Sequence, residues 1–216
     1  MHRLHLSWLG PAIVPAALFL LLATIPSLAP DAAAYSDVPP TGRTGAPGET
    51  TCASCHGDLN DGQGTLALEG MPSSYVPGQQ YSLTVSLTRA AATRWGFEVT
   101  SLFTTGSAYA GTLAAPSTRT LFQTKTGKGY VSHTTTLGED GTYAGTSNGP
   151  VIWRFDWTAP AAGAGNVTFY LVGVAADNDA DAGPGDLVYT TSVAVTEGAV
   201  TATTTTTWGW IKATYR

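Results

Sequence analysis

Cys52-Ala53-Ser54-Cys55-His56 is the run in this 216-residue chain whose residue types and spacing point to one specific chemistry. Two thiols so spaced can add across the two vinyl groups of a single haem, and the histidine that follows reaches the iron as proximal ligand. Both cysteines of the chain are used in this one motif. Other chemistries fit it less well. A thioredoxin-like CxxC calls for a βαβ context and a helix N-terminus that lowers a thiol pKa, and the surrounding pattern offers neither. A structural zinc site needs four ligands. Cys52, Cys55, His56 and His133 make one such set, with no second closely spaced pair. A plain Cys52–Cys55 disulfide would leave His56 without a role. One covalently attached haem c is the favoured reading.

The second axial ligand follows by subtraction. Residues 1–34 read as a signal peptide: Arg3 supplies positive charge, an apolar stretch covers residues 12–23, and Ala32-Ala33-Ala34 fits a small-x-small cleavage site before Tyr35. A cut after Ala29 is the close second. Two prolines and the shortness of the apolar run count against a membrane anchor. Removing this segment leaves His56, one other histidine, His133, and one methionine, Met71. His133, in Gly129-Tyr130-Val131-Ser132-His133-Thr134, is the expected distal ligand. Met71, in Glu69-Gly70-Met71-Pro72, is the alternative, and an open or water-filled position is the third. Met/His ligation would raise the reduction potential relative to bis-His. The ordinary roles of such residues are a hydrogen-bonded strand histidine and a core-filling methionine. Asp177-Asn178-Asp179-Ala180-Asp181 resembles a calcium loop at first glance. Ala182 and Val188 stand where an EF-hand needs Gly and Glu, so a solvated acidic loop is the better reading.

The elements that must position these residues are strands. Tyr81, Leu83, Val85 and Leu87 alternate onto one face, as do Val151, Trp153, Phe155 and Trp157. Residues 166–174, 187–195 and 95–103 are long strand candidates, and shorter ones lie at 65–68, 120–124 and 130–134. About eight strands with no intervening helical period predict an all-β, antiparallel Ig-like sandwich over residues 65–198. Residues 35–64, rich in Pro, Gly and Thr, predict an irregular, weakly structured arm carrying the haem motif. Residues 199–216, a threonine-rich spacer ending in Trp208-Gly209-Trp210, predict a tail for secretion or attachment machinery. Composition agrees: 43% hydrophobic residues suffice for one core, and 12% charged residues argue against a coiled coil. A net charge of −5 excludes a nucleic-acid footprint.

Taken together, Thr44-Gly45-Ala46-Pro47-Gly48-Glu49, Cys52-x-x-Cys55-His56-Gly57, Tyr75-x-Pro77-Gly78-Gln79-x-Tyr81, Trp95-Gly96-Phe97-Glu98-Val99-Thr100, Tyr130-Val131-Ser132-His133-Thr134 and Gly185-Asp186-Leu187-Val188-Tyr189 resemble a family of exported bacterial proteins. These carry a Reeler-like, or choice-of-anchor, β-sandwich domain. The resemblance covers residues 34–195. It implies an Ig-like sandwich, a CxxCH haem site near its N-terminus, a histidine at the position of His133 and a C-terminal sorting tail.

The function expected from the sequence is an exported monohaem c-type protein of the periplasm, cell surface or exterior. It would exchange electrons with a redox partner protein or an extracellular acceptor, with no transmembrane span after processing. The alternative is a surface binding or adhesion module in which the haem is structural or sensory. A peroxidase-like enzyme is the third reading and would need an open distal site. No Ser/His/Asp or Cys/His nucleophile set is visible.

Overall fold

The computed structural model describes residues 35–57, 59–183 and 185–199. The signal segment 1–34 and residues 200–216 of the tail lie outside them. Ten strands follow one another: β1 (Gly64–Glu69), β2 (Ser74–Tyr75), β3 (Gln80–Arg89), β4 (Arg94–Phe103), β5 (Thr112–Ala114), β6 (Thr120–Lys125), β7 (Lys128–His133), β8 (Val151–Thr158), β9 (Val167–Ala176) and β10 (Leu187–Glu197). They form a four-stranded sheet in the order β1-β3-β8-β5 and a six-stranded sheet in the order β2-β10-β9-β4-β7-β6. The molecule is therefore an all-β two-sheet sandwich.

Side-chain alternation builds the core between the sheets. Leu83, Val85 and Leu87 of β3 and Val151, Trp153, Phe155 and Trp157 of β8 are all buried. From the opposite sheet Trp95, Phe97, Val99, Phe169 and Leu171 meet them. Phe97 stacks on Trp153 at 4.6 Å between ring centroids, and Trp157 meets Phe169 edge to face at 5.0 Å. The buried indoles find acceptors: Trp153 Nε1 donates to the Gly141 carbonyl and Trp157 Nε1 to that of Ala110. Each satisfied N–H lets a large apolar surface be buried without an orphaned polar group.

Eight of these strands coincide with the strand candidates of the sequence. Two do not. Ser74–Tyr75 and Thr112–Ala114 are too short to carry a period, and β2 pairs with β10 in parallel, an exception to the antiparallel expectation. The arm departs further from expectation. It is tied down, with a bridge between Thr44 and Thr51 and with Thr44 and Ala46 both buried. The sheet, not the arm's own composition, orders it. Glu98 of β4 points outward from the six-stranded sheet and accepts the backbone N–H groups of Gly42 (3.0 Å) and Arg43 (2.6 Å). Glu49, in turn, accepts from the Tyr130 hydroxyl at 2.6 Å and pairs with Lys128 at 3.0 Å. Beyond the motif, Asn60 N–H donates to the Val188 carbonyl, which leads the chain around β10 and into β1.

Candidate functional site

The CxxCH segment forms a single 3-10 turn, Cys52–Ser54, capped by the Thr51 hydroxyl, which accepts from Ala53 N–H. Its return is closed by Cys55 N–H and His56 N–H, both donating to the Cys52 carbonyl. Cys52 and Ala53 pack on Val172, Val174, Ala176 and Val188, a small apolar cluster on the outer face of β9 and β10, separate from the main core. Burial, together with the nearby charge of Glu98, pushes the Cys52 thiol up to about 12. That environment disfavours the thiolate that redox exchange or zinc ligation needs, and it suits a neutral sulfur. Both cysteines are free.

His56 follows the turn and is fixed from behind. Its Nδ1 lies 2.5 Å from Oδ2 of Asp186, a carboxylate buried to 2% exposure. A carboxylate on one ring nitrogen holds the imidazole's orientation and leaves Nε2 facing away as the ligating atom. Gly57 permits this approach. A Cβ there would stand 2.6 Å from the Asp186 carbonyl and 2.7 Å from that of Gly183.

His133 ends β7 and sits on the opposite wall. β7 and β4 share the Cα pairs Glu98↔Ser132 and Val99↔Val131, and past these the ladder gives way to the imidazole. Phe97 N–H donates to His133 Nδ1 at 3.1 Å, so the ring takes the place of a strand partner. Burial pushes its pKa down to about 4. It is therefore neutral at physiological pH, the form that can ligate a metal. Gly96 makes room for it, since a Cβ there would lie 2.8 Å from His133 Cε1.

These pieces line one cleft that opens to solvent. The arm contributes Tyr35, Arg43, Cys52, Cys55 and His56, and the sheet contributes Arg94, Phe97, His133 and Val174. The acidic segment Asn178–Asp181 forms its rim. Residues 178–181 are all exposed, as a solvated acidic loop requires; Asn178 accepts from Arg94, and Asp179 accepts from the Asp181 N–H. Met71, in contrast, packs against the main core and takes no part in the cleft. Among the described residues, no three His, Cys, Asp or Glu side chains are gathered closely enough to hold a bare metal ion.

Sequence reasoning missed Asp186, Arg43, Arg94 and Glu98. Asp186, Arg94 and Glu98 act across a long separation in the chain, and only the glycine after His56 hinted that something approaches closely there.

No protein-family model matches the chain, and no curated protein sequence matches it. Among solved structures, the human F-spondin reeler domain is similar at 21% identity and a TM-score of 0.46, over 66% of this chain and 95% of that one. The Reelin-N domain of F-spondin aligns at 20% identity and 0.47, over 68% and 96%. A non-cellulosomal cohesin from the archaeon Archaeoglobus fulgidus aligns at 11% identity and 0.34, over 63% and 92%. Among the described residues no helix is long and apolar enough to cross a membrane.

Proposed function

We propose that this chain is an exported c-type haem protein that carries electrons, with one haem held in the cleft between the arm and the outer face of the six-stranded sheet. The observation that supports this reading is convergence. The CxxCH turn and His133, remote from each other in sequence, line the same cleft. The donor set fits the group. Cys52, too buried to ionise readily, suits a thioether, which carries no charge.

A bound haem supplies one-electron chemistry. The chain's own residues do the rest. Cys52 and Cys55 anchor, His56 offers Nε2 while Asp186 fixes its ring, and His133 would offer Nε2 in the tautomer that carries its proton on Nδ1, facing the Phe97 carbonyl at 3.4 Å. Val174 and the turn exclude water from one side, and the open mouth leaves an edge for exchange with a redox partner protein or an extracellular acceptor.

The test is expression with a c-type maturation system, followed by the pyridine haemochrome spectrum of the denatured protein. A covalent haem signal that shifts when Cys52 or Cys55 is replaced by Ser is expected; no covalent haem under those conditions overturns the proposal. His133→Ala should convert a low-spin spectrum to high-spin and open the site to carbon monoxide. An unchanged spectrum removes His133 from the ligand set. If haem is not attached, the same cleft, with apolar walls and two arginines, points instead to a small-molecule binding module on an exported sandwich.

A further inference from the structure

Two guanidinium groups face the cleft without a carboxylate partner among the described residues. Arg43 stands on the arm and Arg94 at the start of β4, and both line the cavity. Arg43 donates from Nη1 to the hydroxyls of Thr50 (2.6 Å) and Ser54 (3.1 Å), which are neutral acceptors. Arg94 donates from Nη1 to the side-chain amide of Asn178 at 3.0 Å, again a neutral acceptor, and its Nε is buried with no partner. Among the described residues neither arginine forms an ion pair, whereas Arg89 and Arg119 each do. Of the acids lining the cleft, Asp186 is committed to His56, and Asp179 and Asp181 lie exposed on the rim without an ion pair to either arginine among the described residues. A guanidinium in a partly desolvated wall is costly unless an anion meets it, and its planar fork matches a carboxylate.

We propose that Arg43 and Arg94 form a two-point clamp for the carboxylates of a flat dianionic ligand, the two propionates of the porphyrin that the CxxCH turn attaches. This rests on the haem reading above and extends it, because it assigns the ligand's acidic edge to named side chains. One clamp arm comes from the arm and the other from the sheet, so the ligand's carboxylates bridge the two parts of the chain. The hydroxyls of Thr50 and Ser54 and the amide of Asn178 preset the guanidinium planes and do not neutralise them. Preset donors lose less conformational freedom when the anion arrives.

The experiment separates the clamp from the haem reading. The full chain with Cys52→Ser and Cys55→Ser, which cannot attach covalently, is titrated with haemin and with haemin dimethyl ester, whose carboxylates are masked. Haemin should bind about tenfold tighter or more than the ester, the scale of one charge-assisted contact. Arg43→Gln with Arg94→Gln should abolish that preference by weakening haemin alone. Arg43→Lys with Arg94→Lys should recover part of it. Arg154→Gln, on the exposed face of β8, should leave it unchanged. Circular dichroism of each variant checks that the sandwich is folded. Equal affinity for haemin and ester, or a preference that survives the double Gln variant, overturns the clamp while leaving the haem reading intact. If neither porphyrin binds the folded protein, both readings fall.

Discussion

Gly96 and Asp186 are the two positions on which the geometry of the site turns. Gly96→Ala places a methyl 2.8 Å from His133 Cε1 and 3.1 Å from Nδ1, in a region with no slack. The imidazole or the strand must shift, breaking the Phe97 N–H···Nδ1 bond. The expected cost is about 1–3 kcal/mol in chemical denaturation, accompanied by loss of the low-spin spectrum in the haem-loaded protein. Full retention of both would mean that the ring is not seated as described. Asp186→Asn keeps the shape but removes the charge behind His56. Without that charge an oxidised iron is stabilised less, so the midpoint potential should rise in a potentiometric titration. A potential that falls or stays fixed contradicts that role. The cysteines and both histidines were legible in the sequence because their types are rare and could be counted. Asp186 and the two arginines were not, because nothing local separates them from other charged residues.

Among the elements, β4 and β7 matter most, because the site occupies the place where they part. Glu98 lies just inside that point, fully buried, and burial pushes its carboxyl up to about 7 despite the N–H groups of Gly42 and Arg43. A raised pKa means that between about pH 4.5 and 7 the folded state holds a proton that the unfolded chain has released, so stability falls as pH rises through this window. His133 acts in the opposite sense. Its pKa is lowered from 6.5 to about 4, so the unfolded chain binds the extra proton there and stability rises with pH. The two slopes offset each other in the haem-free protein. Glu98→Gln should therefore leave a stability that climbs from about pH 4 to 6.5, and His133→Gln one that declines from about pH 4.5 to 7. Urea midpoints measured across pH 4–8 check both; parallel curves for the two variants would refute the assignment. Alternation in two runs, and β-branched and aromatic runs between turn residues in six more, made eight strands readable. Neither signal could reveal β2 or β5, whose two and three residues carry no period, nor that an arm of turn-forming residues would be ordered by a glutamate in a strand.

At the scale of the whole molecule, two apolar clusters do different work. The main one lies between the sheets and contains no residue of the arm. The smaller one, Val172, Val174, Ala176 and Val188, lies outside the six-stranded sheet and is covered by Cys52 and Ala53. Deleting residues 35–57 should leave a sandwich that still unfolds cooperatively on heating, with the uncovered valines driving self-association in sedimentation runs. Loss of cooperative unfolding would show that the arm belongs to the core after all. A sandwich that closes without its arm also sets an order of events. On the haem reading, the strands from Gly64 to Glu197 would assemble while the CxxCH segment is still slack polypeptide, accessible on all sides to the enzyme that would join both sulfurs to a porphyrin. Docking on the outer valines would come last, and Glu98 would be the catch that closes behind the cargo.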